Sequence, residues 1–276
     1  MPMKDRCVIL FEFEVFSMKD FVARILSQNN SELAIGLFDV WHFLYLFVIF
    51  GTPILISILM KNRSDESKRR VTRIFAYLTI GLYVADFFLM PLSDSYNGIS
   101  AYKLPFNICT FLAVLTPFVE FNERFKGIKS AVVSLAITSS LMWMCYPGSA
   151  LGGQPPFSYV IFQTFVYHGL LFNWGVLNLS LGRVKLAWRN TWKEVCLFGV
   201  IFLWAMLGNE IYPYDMNWLF IETSIFPFLK DEWMPLAVTF SVLGSCFIVY
   251  CAYFLVCSIS KRHSLRKNEK GKITTV

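Results

Sequence analysis

The sequence predicts an all-α, multi-pass membrane protein in which seven transmembrane helices form one bundle. The first supporting observation is composition: of 276 residues, 56% are hydrophobic and 17% aromatic, which is far more apolar than an ordinary soluble domain. The second is a set of seven apolar runs, each close to the roughly 20 residues that a membrane-spanning helix needs. The third is the alternation of basic residues between successive loops, which is typical of polytopic proteins.

The apolar runs define the predicted helices and the domain organisation. No internal repeat or second domain interrupts them, so we expect residues 31–260 to form one transmembrane domain. Residues 1–30 carry charges among apolar residues at helical spacing, and they predict either a surface-lying amphipathic helix or a disordered segment. Residues 261–276 form a basic tail. The runs lie at about residues 37–60, 72–91, 104–121, 128–146, 157–181, 193–211 and 235–258.

The distribution of lysine and arginine predicts the orientation. The loops at 61–73, 121–130 and 182–193, together with the tail, carry 19 of the 25 basic residues. Because positive residues accumulate on the cytoplasmic side, we expect the N-terminus outside and the C-terminus in the cytoplasm. The net charge of +6 therefore reflects topology, and we predict no nucleic-acid partner.

Polar and ionisable residues at membrane depth concentrate in the outer halves of the predicted helices. Such groups are costly in lipid and usually mark a functional site. His168 lies about eleven residues into the fifth run, roughly 16 Å deep, although a neutral histidine that serves helix packing would also fit. Because the others share the same side of the membrane, we expect one cavity open to the non-cytoplasmic leaflet. They are Asp39, His42, Asp86, Asn107, Cys109, Asn209 and Glu210.

Cys109 follows the segment Leu104-Pro105-Phe106-Asn107-Ile108, in which a proline favours the first helical position. With Pro105 starting the helix, Cys109 would lie one turn in. The positive end of the helix then favours its thiolate form, whereas burial opposes it, so a thiolate would need a histidine neighbour such as His168. The alternative is a small apolar filler. We expect that filler role for Cys145, Cys196, Cys246, Cys251 and Cys257, and no disulfide framework.

Two further features have a functional and a structural interpretation. Asp39 and His42 are three residues apart and share a helical face. The carboxylate would then fix the imidazole tautomer at the rim of the cavity, or the two would form an ordinary solvated pair. The loop around residues 148–156 is rich in glycine and proline and lacks charge. It predicts either a mobile lid or a tight connection.

The segment LPFNICTF, followed by YPGSALGGQPPF and QTFVYHGLL, resembles the transmembrane protein 164 family and its bacterial YwaF-like relatives. The likeness extends over about residues 37–257. It implies a seven-helix membrane protein, and animal members are described as phospholipid acyltransferases. They resemble androgen-induced hydrolases of fatty-acid esters of hydroxy fatty acids, which use a membrane-embedded nucleophile and a histidine. On that analogy the nucleophile falls on Cys109 and the histidine on His168.

The resemblance implies ordinary acyl-transfer chemistry. Cys109 would attack the ester of a phospholipid donor to give a thioester, and His168 would activate the hydroxyl of a lysolipid acceptor. Asn107 points to a different helical face from Cys109, so we do not assign it to an oxyanion hole. The expected supporting residues are His42, Asp39, Asp86, Gln163, Tyr167 and Asn209, of which Gln163, Tyr167 and Asn209 could donate to the oxyanion.

Other function classes remain open at this point. An intramembrane lipid-ester hydrolase would use the same residues with water as acceptor. A non-enzymatic lipid-binding or transport protein would need neither a nucleophile nor a base. The internal repeat that is typical of many transporters is not visible in the sequence. A seven-helix receptor fits the helix count. A zinc hydrolase would depend on His42 and His168 with Asp39 or Asp86, which is a sparse ligand set. We therefore predict no metal and no cofactor, and membrane lipids as the partners.

Overall fold

The computed structural model describes residues 35–89, 101–147, 155–156, 158–212, 216–224 and 229–273, and within these ranges the chain is helical without strands. The seven predicted helices are present, and six are long and apolar enough to cross a membrane. The predicted all-α, multi-pass membrane fold is therefore confirmed. The helices are α1 (Val40–Met60), α2 (Asp65–Leu89), α3 (Ile108–Phe121), α4 (Lys129–Cys145), α5 (Tyr159–Ser180), α6 (Thr191–Ile211) and α7 (Met234–Ile273).

Two helix ends differ from the sequence prediction. α7 continues without a break to Ile273, so the proposed boundary near residue 260 does not coincide with the end of a helix. α3 has only 14 residues, or about 21 Å at 1.5 Å per residue, which is less than the hydrocarbon thickness. The amphipathic or disordered segment proposed for residues 1–30 lies outside the described residues. The orientation of the termini stays a prediction.

The short α3 begins after a lead-in, residues 101–107, in which one turn of 3₁₀ helix (Ala101–Lys103) is followed by non-helical backbone. The expectation that Pro105 begins the helix is wrong, because Asn107 has an extended backbone and occupies the N-cap position, which asparagine favours. Non-helical backbone at membrane depth requires partners within the protein. Side chains of other helices and of α3 itself supply them here. Tyr83 donates to the Lys103 carbonyl (2.7 Å), Thr110 to Leu104 (3.1 Å) and Trp204 to Pro105 (2.9 Å).

The centre of the bundle is the contact between α4 and α5. Ten consecutive residues of α4, from 131 to 140, are buried, and α5 buries most of its length as well. At Gly175 of α5 an added Cβ would lie 2.6 Å from Ile137 of α4, so glycine permits this close approach. By contrast, α1 and α7 expose broad apolar faces at the periphery. Residues on α4 and α5 are therefore shielded from lipid, including the region around His168.

Candidate functional site

Cys109 is the second residue of α3 and lies deep in the bundle, with 7% of its surface exposed. It is thus nearer to the helix N-terminus than the sequence predicted. On one side its thiol faces the hydroxyl of Ser139 from α4. On the other, the Tyr167 hydroxyl of α5 donates to the Cys109 carbonyl over 2.8 Å. Cys109 is therefore held by both central helices.

The N–H groups around Cys109 remain available for a ligand. The hydrogen-bond ladder of α3 begins with Phe111 N donating to the Asn107 carbonyl at 2.9 Å. The Asn107 side chain does not cap the helix, because its Oδ1 accepts from Leu219 N at 3.2 Å. Within the described ranges, no acceptor is found for the N–H groups of Ile108, Cys109 and Thr110. The first N–H groups of a helix lack internal partners and attract negative charge.

His168 of α5 is buried and fixed in orientation. Its Nδ1 donates to the Thr164 carbonyl over 2.8 Å, which leaves Nε2 of the neutral ring as a proton acceptor. The imidazole stacks on Trp143 of α4 with ring centroids 3.9 Å apart and planes 6° apart. The Tyr167 ring contacts it edge-on at 5.0 Å. No described residue hydrogen-bonds to Nε2.

Cys109 and His168 both contact α4, so their positions can be compared along that helix. Cys109 packs on Ser139 and His168 packs on Trp143, and residues four apart share a helical face with Cβ atoms about 5–6 Å apart. The two side chains therefore contact the same face of α4, about one helical turn apart. Among the described residues no hydrogen bond connects the thiol with the imidazole. A proton passing between them would require a rotamer change or a bridging water.

A charged network adjoins the histidine. Asp86 of α2 is fully buried and binds Lys103 of the lead-in, Nζ to Oδ2, over 2.6 Å. Tyr159 donates to the other carboxylate oxygen at 2.5 Å, and Gln163 Oε1 accepts from Lys103 at 2.9 Å. Because each charge has partners, the network can persist at membrane depth. It ties the lead-in to α2 and α5 and so fixes the segment that precedes α3.

His42 and Asp39 are close together but do not form the expected carboxylate–imidazole pair. Asp39 caps α1: its Oδ1 accepts from His42 N at 2.8 Å and its Oδ2 from Gly36 N at 2.7 Å. His42 is buried, with Nδ1 accepting from Phe38 N at 3.1 Å and Nε2 donating to the Met144 carbonyl at 2.9 Å. Both ring nitrogens are therefore engaged. His42 supports the C-terminal end of α4, next to Trp143.

We expect His42→Ala to weaken activity without abolishing it. The substitution leaves the buried Met144 carbonyl without its partner, which costs about 1–3 kcal/mol, and also removes the acceptor of the Phe38 N–H. The end of α4 that carries Trp143 would loosen, and His168 with it. The measurement is a thermal unfolding curve beside an activity assay of the purified protein. A variant with unchanged melting temperature and no activity would instead give His42 a direct chemical role.

Asn209 holds the segment that covers the α3 N-terminus. Its amide pairs with the Trp218 backbone, accepting from N at 2.8 Å and donating to O at 3.4 Å. The segment turns sharply at Leu219 (φ 58°) and is tied there to Asn107. Phe106 packs against the Trp218 ring with centroids 4.6 Å apart. Asn209 therefore supports structure near Cys109, whereas the neighbouring Glu210 is exposed.

Gly208 on α6 provides a test of this packing. An alanine Cβ there would lie 2.4 Å from Phe106, so Gly208→Ala should displace the ring and lower stability by about 1–3 kcal/mol. The matched control is Gly199→Ala in the same helix, where nothing lies within 4 Å of an added Cβ. Thermal unfolding of both variants checks the expectation. Equal melting temperatures would show that the Phe106 packing does not constrain the site.

Among the described residues there is no group of side chains that could bind a metal ion. No three His, Cys, Asp or Glu side chains among them are grouped so that they could hold an ion, and both nitrogens of His42 are engaged. The zinc hydrolase alternative therefore has no support from the geometry. The proposed lid falls largely outside the described residues. Pro156, which lies within them, accepts a hydrogen bond from Tyr45 through its carbonyl (2.6 Å).

Comparison with known protein families shows to which family the chain belongs. The sequence model of the TMEM164 family matches residues 37–257. The chain belongs to the TMEM164 family. The matched range contains α1 to α6 and most of α7, so that Cys109, His168 and the residues around them all lie inside it. No curated protein and no solved structure matches the chain. The predicted resemblance is thus confirmed, and the protein is an integral, multi-pass membrane protein.

Proposed function

We propose that this TMEM164-family protein is a membrane-embedded phospholipid acyltransferase, with Cys109 as the nucleophile and His168 as the general base. One observation carries the proposal. A buried thiol at a helix N-terminus with unused N–H groups lies on the same face of α4 as a histidine with an unbonded Nε2. Nucleophile, base and anion-binding donors are the three components that acyl transfer requires.

In the first half-reaction, His168 Nε2 takes the proton of the Cys109 thiol, and the thiolate attacks the carbonyl of a phospholipid ester. The tetrahedral intermediate collapses as the carbon–oxygen ester bond breaks. The imidazolium returns its proton to the departing oxygen, so a lysophospholipid leaves and Cys109 carries the acyl group as a thioester.

The second half-reaction reverses these steps with a different alcohol. His168 removes the proton from the hydroxyl of a lysolipid acceptor, whose oxygen attacks the thioester. The carbon–sulfur bond breaks, and the thiolate of Cys109 recovers the proton from the imidazolium. A water molecule as acceptor would give a free fatty acid by the same route. The distinction between transferase and hydrolase therefore depends on which acceptor reaches the thioester.

The oxyanion donors in this proposal are backbone groups, namely the N–H groups of Cys109 and Thr110. They are favoured over the side chains that the sequence suggested. The Tyr167 hydroxyl donates to the Cys109 carbonyl and the Asn209 amide donates to the Trp218 carbonyl. Gln163 accepts from Lys103, which leaves its amide N–H as an additional donor near the lead-in. A helix N-terminus stabilises a developing negative charge without side-chain reorganisation.

The direct test uses purified protein in lipid nanodiscs, with a phospholipid labelled in one acyl chain and an unlabelled lysophospholipid. Transfer of label to the acceptor supports acyl transfer, and release of labelled fatty acid at the same rate with or without acceptor supports the hydrolase. Binding of both lipids without turnover would contradict the enzymatic proposal and favour a lipid-binding or transport protein.

A further inference from the structure

A second polar centre lies at the opposite end of α3, around Glu120. Glu120 lies eleven positions after Cys109, or about 16 Å along the helix, so this centre is distinct from the proposed active site. The Glu120 side chain is 1% exposed and binds Lys129 Nζ at 2.7 Å. Thr72 donates to one carboxylate oxygen (2.8 Å) and Trp174 to the other (3.2 Å). The carboxylate is thus fully engaged with partners from α2, α4 and α5.

Cationic side chains outnumber the carboxylates around this point. Arg69 and Arg73 of α2 lie near Glu123, which also forms an ion pair with Lys126. Arg183, in the loop after α5, lies near Lys129. Five cationic side chains and two carboxylates therefore lie at the same end of the bundle, which the distribution of basic residues predicts to be cytoplasmic.

Three of these arginines have a buried Nε atom for which no described residue serves as hydrogen-bond acceptor. The Nε atoms of Arg69, Arg73 and Arg183 are buried and make no hydrogen bond with any described residue. A buried donor without an acceptor costs about 1–3 kcal/mol, more when it is charged, so such groups normally have a partner. Glu120 is already engaged, and Glu123, the carboxylate near Arg69 and Arg73, is exposed and paired with Lys126. Among the described residues, neither carboxylate accepts a hydrogen bond from these Nε atoms.

Topology alone does not account for this arrangement. The rule that places positive residues in the cytoplasm requires only that they lie in the loop. Lys61, Arg63 and Arg70 satisfy that rule in exposed positions. Arg69, Arg73 and Arg183 are instead partly buried. Arg69 and Arg73 flank Thr72 on α2 and Arg183 lies near Lys129, and both Thr72 and Lys129 bind Glu120. Convergent arginines with unused donors are the arrangement that binds phosphate, since the guanidinium fork matches two phosphate oxygens.

We propose that Arg69, Arg73 and Arg183, with Lys129, form a binding site for a phosphate monoester at this end of the bundle. The ends of α2, α4 and α5 meet here at the edge of the membrane, where basic pockets between helices accept anionic lipid headgroups. The same chemistry would accept a soluble phosphorylated molecule. The proposal is independent of the acyl-transfer activity.

The experiment measures lipid retention by native mass spectrometry of the detergent-solubilised protein. The probe is a phosphoinositide carrying phosphate monoesters, with phosphatidylcholine as the neutral reference. We expect selective retention of the phosphoinositide, and a loss of about tenfold or more in Arg69→Gln/Arg73→Gln/Arg183→Gln. The control Lys61→Gln/Arg63→Gln/Arg70→Gln removes the same charge from exposed positions and should bind like the unaltered protein. Cys109→Ser should also bind normally.

Two further measurements complete the lipid-retention experiment. A soluble inositol phosphate that competes with the lipid at similar concentration identifies a soluble ligand, whereas no competition identifies the lipid headgroup, and both support the site. If the triple variant is unstable, Arg183→Gln alone should still reduce retention severalfold. Equal losses in the triple variant and in its charge-matched control would overturn the proposal, because they would indicate general electrostatic attraction. Absence of selective retention would overturn it as well.

Discussion

Cys109→Ser should fold, insert and express like the unaltered protein, yet lose acyl transfer by on the order of 10³-fold or more. The change is nearly isosteric, and a serine hydroxyl at this position still faces Ser139. An unactivated hydroxyl is, however, a far weaker nucleophile than a thiol beside a histidine. The measurement is the rate of label transfer from a phospholipid to a lysophospholipid, with the melting temperature recorded for the same preparation.

Cys246→Ser is the matched control, because Cys246 is also buried and contacts Thr138 Oγ1 through its sulfur at 3.4 Å. Its substitution should leave the transfer rate unchanged within a factor of about two, since it lies outside the proposed chemistry. If Cys109→Ser retains full activity, Cys109 is the apolar filler that the sequence allowed as its alternative. A comparable loss in both variants would trace the effect to packing.

His168→Ala should reduce the transfer rate by about 10²–10⁴-fold, the range that general acid–base catalysis supplies. It also removes the ring that stacks on Trp143 and the hydrogen bond to Thr164, so some loss of stability is expected. The more informative variant is therefore Cys109→Ser/His168→Ala. Members of one catalytic unit act non-additively, and the double variant should be little slower than either single one.

A purely structural histidine would give a different pattern. His168→Ala would then lower the melting temperature and the rate together, and its effect would multiply with that of Cys109→Ser because independent effects add in free energy. Restoring stability, for example with a tightly bound lipid, would restore the rate. Either finding would remove His168 from the chemistry and leave it as a packing residue of the α4–α5 contact.

The overall fold was predictable because it follows from features that are local in sequence. Most helix ends lie near a change from apolar to charged residues, the loop between α4 and α5 is instead rich in glycine and proline, and the membrane requires helical structure wherever the chain crosses it. The burial of Cys109 and of His168 followed from the same patterns. Nearby Gln163 and Tyr167 also lie on the buried side of α5, although their hydrogen bonds were not predictable.

The start of α3 was predicted wrongly because the deciding contacts are distant in sequence. Pro105 is a good first helical residue by local preference, but the carbonyls of the lead-in are bonded by Tyr83 and Trp204, and Asn107 is held by Leu219. Only the folded bundle brings these groups together. Residues 104–107 therefore stay non-helical, and the helix begins three residues later than Pro105.

Lys103 and Ser139 were missed for related reasons. In the sequence Lys103 resembles an ordinary loop residue. Its partner Asp86 is 17 positions away, and no periodic pattern in the sequence indicates that the two form an ion pair. Ser139 lies in a run of small buried residues, a pattern that indicates close helix packing and not a functional site. For His42 the spacing correctly placed Asp39 nearby. It could not show that the carboxylate prefers the backbone N–H groups at the start of α1, which is the ordinary role of aspartate at a helix N-terminus.

The most direct measurement of the central claim is intact-protein mass spectrometry after incubation with a phospholipid donor and no acceptor. We predict one added acyl chain per protein, located on Cys109 by peptide mapping and removed by neutral hydroxylamine, as a thioester requires. His168→Ala should accumulate it much more slowly, and Cys109→Ser should lack a hydroxylamine-sensitive adduct. Turnover of the donor without acylation of Cys109, or acylation of another residue at the full rate, would contradict the account.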